Sequence, residues 1–151
     1  MKRIMIDAAQ CSGCKNCALA CMQAHAAEGE NNSYMLNLSN PVNESRNRIL
    51  KSNNDAYIPL FCRHCDTPEC ASACMSGALT KDRATGLVTY DESRCAGCFM
   101  CVMSCPYGVL KPDSATHSFV IKCDFCKEHD YEPHCVKACV TGAIYTEEVP
   151  S

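Results

Sequence analysis

The spacing of sixteen cysteines constrains this chain more than any other feature. They fall into four groups of four: Cys11, Cys14, Cys17, Cys21; Cys62, Cys65, Cys70, Cys74; Cys95, Cys98, Cys101, Cys105; and Cys123, Cys126, Cys135, Cys139. The first and third groups share C-x2-C-x2-C-x3-C, the second is C-x2-C-x4-C-x3-C and the fourth C-x2-C-x8-C-x3-C. Every group opens with C-x2-C and closes with C-x3-C, which makes the pattern an internal repeat. The residues after each last cysteine repeat as well. A glycine stands three positions past Cys74, Cys105 and Cys139, at Gly77, Gly108 and Gly142. There it is expected to end a short helix in the left-handed conformation, and a short apolar strand follows.

Composition narrows what the cysteines do. With 151 residues the chain makes one compact domain or two very small ones. Cysteine is about 11% of it, a level that marks a cysteine-organised scaffold. The 47% hydrophobic content counts those cysteines, there is no Trp, and only 7% of residues are aromatic. Disulfides or metal must therefore supply part of the core. The start, Met1-Lys2-Arg3-Ile4-Met5-Ile6-Asp7, has no apolar run of signal-peptide length and no twin-arginine pair. No stretch of eighteen apolar residues spans a membrane. A cytoplasmic location with reduced thiols is expected, and there clustered cysteines read as metal ligands. Zinc sites close with two C-x2-C pairs or with His, which does not account for three cysteines at x2 spacing followed by C-x3-C.

Geometry points instead to [4Fe–4S] clusters. Gaps of two residues let one loop wrap a cube with three thiolates while its amide N–H groups face the sulfurs. If C-x3-C is helical, its two cysteines lie about 6 Å apart along the axis, so the last one reaches a second cube, as in bacterial ferredoxin runs. Such sharing would pair the clusters for electron exchange. Formal net charge is −3; four oxidised cubes would bring it to about −11. The basic residues are scattered, Lys122, Lys127 and Lys137 being the nearest to a group, so there is no nucleic-acid footprint. Charged patches would either steer redox partners or simply be solvated.

The stretch Cys95-Ala96-Gly97-Cys98-Phe99-Met100-Cys101-Val102-Met103-Ser104-Cys105-Pro106 resembles the bacterial two-cluster ferredoxin signature. Only this group keeps the Pro; Met22, Met75 and Val140 replace it elsewhere. The four-group order resembles the iron–sulfur subunits of the dimethyl-sulfoxide-reductase and formate-dehydrogenase type. Within that set, Phe61-Cys62-Arg63-His64-Cys65-Asp66, Cys74-Met75-Ser76-Gly77-Ala78 and the run from Cys98 to Pro112 look most like the ferredoxin subunit associated with carbon monoxide dehydrogenase. The resemblance implies four clusters held by Cys11, Cys14, Cys17 with Cys139; Cys123, Cys126, Cys135 with Cys21; Cys62, Cys65, Cys70 with Cys105; and Cys95, Cys98, Cys101 with Cys74. The x8 gap marks the cluster of Cys126 and Cys135 as the one to differ in type or potential.

The expected fold is α+β: two pseudo-symmetric ferredoxin-like halves, residues 1–22 with 113–151 and residues 57–112, plus a polar insertion at 23–56. That insertion holds eight Asn and reads as a surface loop, either partner-binding or inert. Arg3–Asp7 and Ser118–Lys122 read as strands, and Ala78–Tyr90 as a hairpin turning near Gly86. His64 and His134 lie beside ligands; a surface or packing role is preferred over ligation or potential tuning. Met22, Met75, Met100 and Met103 either shield clusters or fill gaps. No phosphate loop, nucleophile elbow or H-E-x-x-H appears. The implied role is a non-catalytic electron-transfer subunit of anaerobic metabolism in a hetero-oligomer, with no nucleic acid and no membrane span. Carbon monoxide dehydrogenase is the favoured partner upstream, and a flavin NAD(P)H oxidoreductase or hydrogenase downstream. The alternatives are a tungsten or molybdenum aldehyde or formate oxidoreductase upstream, or a freely diffusing ferredoxin carrier.

Overall fold

The computed structural model describes residues 2–27, 29–30 and 34–149. Strand β1 (Lys2–Ile6) pairs antiparallel with β8 (Ile144–Glu148), placing Ile4 opposite Thr146 and Ile6 opposite Ile144. Both strands are rich in β-branched residues, which suit a pleated, half-buried surface. Ile4 and Ile144 face inward and are buried, each stabilising the fold by about 1.5–3 kcal/mol. Three more antiparallel ribbons follow: β2 (Arg48–Lys51) with β3 (Tyr57–Leu60), β4 (Leu79–Lys81) with β5 (Val88–Tyr90), and β6 (Lys111–Pro112) with β7 (Val120–Ile121).

Four short helices carry cysteines: α1 (Asn16–Ala24), α2 (Glu69–Ser72), α3 (Met100–Ser104) and α4 (His134–Lys137). Helix α1 packs on α4, and α2 on α3. The expected helical C-x3-C holds only in α1, which contains both Cys17 and Cys21. The other helices stop before Cys74, Cys105 and Cys139. Gly77, Gly108 and Gly142 do adopt positive φ, but they close a turn after the helix, each donating its N–H to the carbonyl of that last cysteine. The turn carries the thiol toward another group, as α1 does for Cys21 without a break.

Two segments use the same local design. Asp7 donates its N–H to Ala143 O at 2.8 Å and caps a 3-10 turn, Ala8–Gln10, that delivers Cys11. Asp91 donates to Ala78 O at 2.9 Å and caps Glu92–Arg94, which delivers Cys95. In both, the aspartate carboxylate accepts a free turn N–H at 3.1 Å. The hairpin expected at 78–90 forms, with Gly86 at φ 71° donating to Asp82 O.

Cysteines are part of both apolar cores. One core joins Ile4, Cys17, Phe61, Leu87, Phe125, Cys135 and Ile144, and the other Leu79, Val88, Cys101, Leu110 and Val120. The segment at 23–56 is not a plain surface loop. It contributes β2 to a ribbon, and it buries Asn43 and Asn47, which are 2% and 3% exposed. Those amides spend their polarity inward: Asn43 Oδ1 accepts the Ala27 N–H and Asn47 Nδ2 donates to Cys17 O. No helix among the described residues is long and apolar enough to cross a membrane.

Candidate metal centres

Each group opens with a loop whose residue before the second cysteine lies in the left-handed region: Gly13 (φ 71°), His64 (45°), Gly97 (63°) and Phe125 (61°). Successive N–H groups in such a turn converge on one point and form an anion-binding concavity. Gly13 and Gly97 also leave no room for a side chain. A Cβ would collide with the Tyr57 ring at Gly13 and would stand 2.9 Å from Ser118 O at Gly97. Groups two and four hold the same conformation with a full side chain, at a cost of about 1–2 kcal/mol. His64 and Phe125 are both buried, with rings 5.8 Å apart edge to face. That packing holds the two loops against each other.

The loops bring distant cysteines together. Cys11, Cys14, Cys17 and Cys139 open on one hollow, walled by Ile49, Pro59, Phe61 and Ile144. Cys62, Cys65, Cys70 and Cys105 open on another, beside His64, Val88 and Leu110. Charge effects among thiols give the remaining neighbours. Cys21 acts on Cys123, Cys126 and Cys135, and Cys74 and Cys95 act on Cys101. Between quartets, Cys17 reaches Cys135 and Cys62 reaches Cys123. Cys14 and Cys98 stand exposed.

Free thiols are poorly accommodated here. Burial pushes Cys17 up to about 11, with Cys139, Cys14 and Cys11 adding repulsion against the N–H of Ala18. Burial likewise pushes Cys70 to about 11 and drives Cys135 and Cys123 further up. Buried thiolates crowded in this way need a cation, and iron supplies it. The protein contributes donors as well. Burial raises Cys74 and Cys139, but backbone N–H groups, led by Leu79 and Ile144, and the Ser76 and Thr141 hydroxyls outweigh it and lower both. Further N–H donors reach sulfur from Arg46 to Cys21 at 3.3 Å and from Phe125 to Cys123 at 3.4 Å. Hydrogen bonds to sulfur are a main lever on cluster potential. The thiols, concave loops and N–H donors therefore fit iron–sulfur cubes, whose chemistry is one-electron storage and transfer.

Several contributors carry no sequence signal. His25 bonds the Cys21 carbonyl through Nδ1 at 2.8 Å and Asp124 through Nε2 at 3.1 Å, while Arg46 pairs with Asp124 at 2.7 Å. Lys122, counted among scattered basic residues, is buried at 5% exposure. Met75 and Met103 neither shield nor fill; they are 93% and 80% exposed. His64 has the packing role expected of it, yet its Nε2 is buried with no hydrogen-bond partner among the described residues.

Residues 54–149 match the family described as a 4Fe–4S dicluster domain. The chain is 32% identical to the electron transport protein HydN of Escherichia coli, over 93% of this chain and 85% of that one. It is 35% identical to a subunit of the anaerobic dimethyl sulfoxide reductase of Escherichia coli, over 92% and 69%. Other curated relatives are longer, and the chain spans 50% of one and 29% of another. Among solved structures it is similar to a chain of the BamBC active-site complex of benzoyl-coenzyme A reductase. The TM-score there is 0.52 at 28% identity, covering 100% of this chain and 79% of that one. With its sixteen cysteines and ferredoxin-like architecture, this chain belongs to the 4Fe–4S dicluster domain family, and its cofactors are four [4Fe–4S] clusters.

Proposed function

We propose that each cluster is held by three cysteines of one group and the last of another. The sets are Cys11, Cys14, Cys17 with Cys139; Cys123, Cys126, Cys135 with Cys21; Cys62, Cys65, Cys70 with Cys105; and Cys95, Cys98, Cys101 with Cys74. The outer groups and the inner groups then make two ferredoxin-like halves, around 1–22 with 113–151 and around 57–112. The observation that carries this reading is the return of each group's last cysteine to the thiols of a different group. Electrons pass one at a time through the four clusters in that order, entering and leaving near Cys14 and Cys98, the two exposed ligands. All four cubes are then fully ligated by cysteine, so the chain relays electrons without a substrate site of its own. Iron and sulfide of about sixteen each per chain are expected. Cys17→Ser and Cys21→Ser should remove different electron paramagnetic resonance signals; loss of the same signal in both would refute the cross-pairing.

The chain acts as an iron–sulfur subunit of an oxidoreductase complex in the cytoplasm. The partner favoured by the resemblance of Phe61–Asp66 and Cys98–Pro112 is a carbon monoxide dehydrogenase upstream, with a flavin NAD(P)H oxidoreductase or hydrogenase downstream. Likeness to a dimethyl sulfoxide reductase subunit favours a molybdenum or tungsten oxidoreductase as the second reading. Anaerobic affinity isolation of the tagged chain from its native host, followed by mass spectrometry, distinguishes them. Migration alone near 16.5 kDa would count against both and for a diffusing carrier.

A further inference from the structure

Lys122 is a buried cation without a carboxylate. It is 5% exposed, and its Nζ donates to Val88 O and Cys123 O, both at 2.6 Å. Those two bonds fasten β5 to the opening loop of the fourth group, the seam where the second and fourth groups meet. The ion pairs among the described residues are made by Arg3, His25, Arg46, Lys51, Lys111 and Lys137, and none involves Lys122. Two carbonyl dipoles do not neutralise a full charge, and a buried ion left without a counter-charge is strongly destabilising. Anionic neighbours lie on both sides. Val88, one of its acceptors, lines the hollow on which Cys62, Cys65, Cys70 and Cys105 open, and Cys123, the other, begins the fourth group, so Lys122 stands between two sets of thiols.

We propose that Lys122 is the shared counter-ion of the two middle clusters, and that its fixed charge holds their reduction potentials higher than they would otherwise be. The inference rests on the ligand sets given above, in which Cys123 and Cys70 belong to the second and third clusters. An oxidised cube with four thiolates carries about −2 and gains one further negative charge on accepting an electron. A cation set between two such cubes stabilises the added electron at either one. It acts through protein rather than water, where charges are weakly screened. The transfer would balance as one electron only: it would come from the donor enzyme and leave to the next cluster, with no proton moved. Among the described residues no such buried cation stands at Cys14 or Cys98, so the middle of the relay becomes its electron reservoir.

Anaerobic redox titration followed by electron paramagnetic resonance tests this on the full chain, wild type against K122Q and K122R. Iron content is measured first. Cys65→Ser and Cys126→Ser proteins assign the two middle signals by their loss. K122Q, which keeps a donor and loses the charge, is expected to lower both middle midpoints by at least tenfold in the equilibrium constant, 59 mV for a one-electron couple. The end clusters should move far less, and K122R should match wild type. Four unchanged midpoints, or four equal shifts, would overturn the proposal. If K122Q loads short of iron while K122R loads fully, the need for a cation is upheld. If K122R falls equally short, Lys122 is a packing residue and the proposal fails. A wild-type chain with far fewer than four clusters would sink the underlying ligand assignment instead, and iron analysis reports that separately.

Discussion

The backbone N–H of Val88 donates to His64 Nδ1 at 3.0 Å, tying β5 to the loop between Cys62 and Cys65. An accepting Nδ1 leaves the neutral ring with its proton on Nε2. Burial first, then the charges of Lys122 and Lys81, pushes the ring's pKa down to about 2. The unfolded chain binds that proton near pH 6.5, so stability is intact above 6.5 and falls as pH drops toward 2, by at most about 1.4 kcal/mol per pH unit from this residue. Asn tolerates the left-handed backbone of this position and does not titrate. H64N should therefore lose its iron–sulfur absorbance less steeply than wild type between pH 7 and pH 4. Parallel curves would dismiss His64 as a source of acid sensitivity.

Gly13 faces two independent obstacles to a side chain, its φ of 71° and the Tyr57 ring. G13A is expected to deplete the cluster of Cys11, Cys14 and Cys17 first, lowering iron from about sixteen to about twelve per chain. Replacing Tyr57 with Ala in the same protein removes the clash and leaves the backbone strain, so iron should recover only in part. Full recovery would mean that the ring, not the backbone, decides the position.

His25 and Asp124 form a pair with opposite pH signatures. Burial opposes the charge on His25, but Asp124 and Cys21 outweigh it and raise its pKa to about 9. Burial also opposes Asp124, and His25 with Arg46 holds it far below the usual carboxylate range. The histidine's contribution is present in full below pH 6.5 and is lost as pH rises through 9. The aspartate's is present above the ordinary carboxylate pKa and is lost in acid. D124N removes both, so its melting temperature should fall most, relative to wild type, between pH 5 and 7, with the gap narrowing toward pH 10. Differential scanning calorimetry under anaerobic conditions measures it, and a gap independent of pH would exclude the pair.

Asn47 Nδ2 donates to Cys17 O at 3.2 Å within the core. Cys17 lies in the first turn of α1, where its carbonyl also accepts within the helix, so removing the amide loses a supplementary buried bond, about 0.5–1.5 kcal/mol. N47A should lose the cluster of Cys11, Cys14 and Cys17 to a chelator several-fold faster than wild type, with the other three released at unchanged rates. Equal rates for all four would show that Asn47 supports the fold generally and not that cluster.

What could be read from the chain was whatever spacing and periodicity encode. The four groups, the ribbon at 78–90 and the first strand, expected at Arg3–Asp7 and found at Lys2–Ile6, follow from cysteine intervals, β-branched residues and a glycine turn. The helix ends did not follow, because C-x3-C suits a helix that continues, as at Cys21, and one that stops, as before Cys74, Cys105 and Cys139, and tertiary packing decides between them. The segment at 23–56 misled for a related reason. Its asparagines look like solvated loop residues, and a side-chain amide satisfied inside the fold has the same composition as one in water. His64 and Lys122 were likewise ordinary letters; their roles come from seams between segments far apart in sequence.

The pairing of β1 with β8 also sets a timetable. Cys11, Cys14 and Cys17 leave the ribosome before the other three groups, yet Cys139, which β8 anchors beside them, is made 122 residues after Cys17. At translation rates of 5–20 residues per second the delay is roughly 6–25 s. The inner groups, 62 to 105, are whole long before that. Cofactor insertion is thus biased to begin at the inner groups and to finish at the outer ones, and the thiols of the first group must be guarded from oxygen and stray metal until β8 closes on β1.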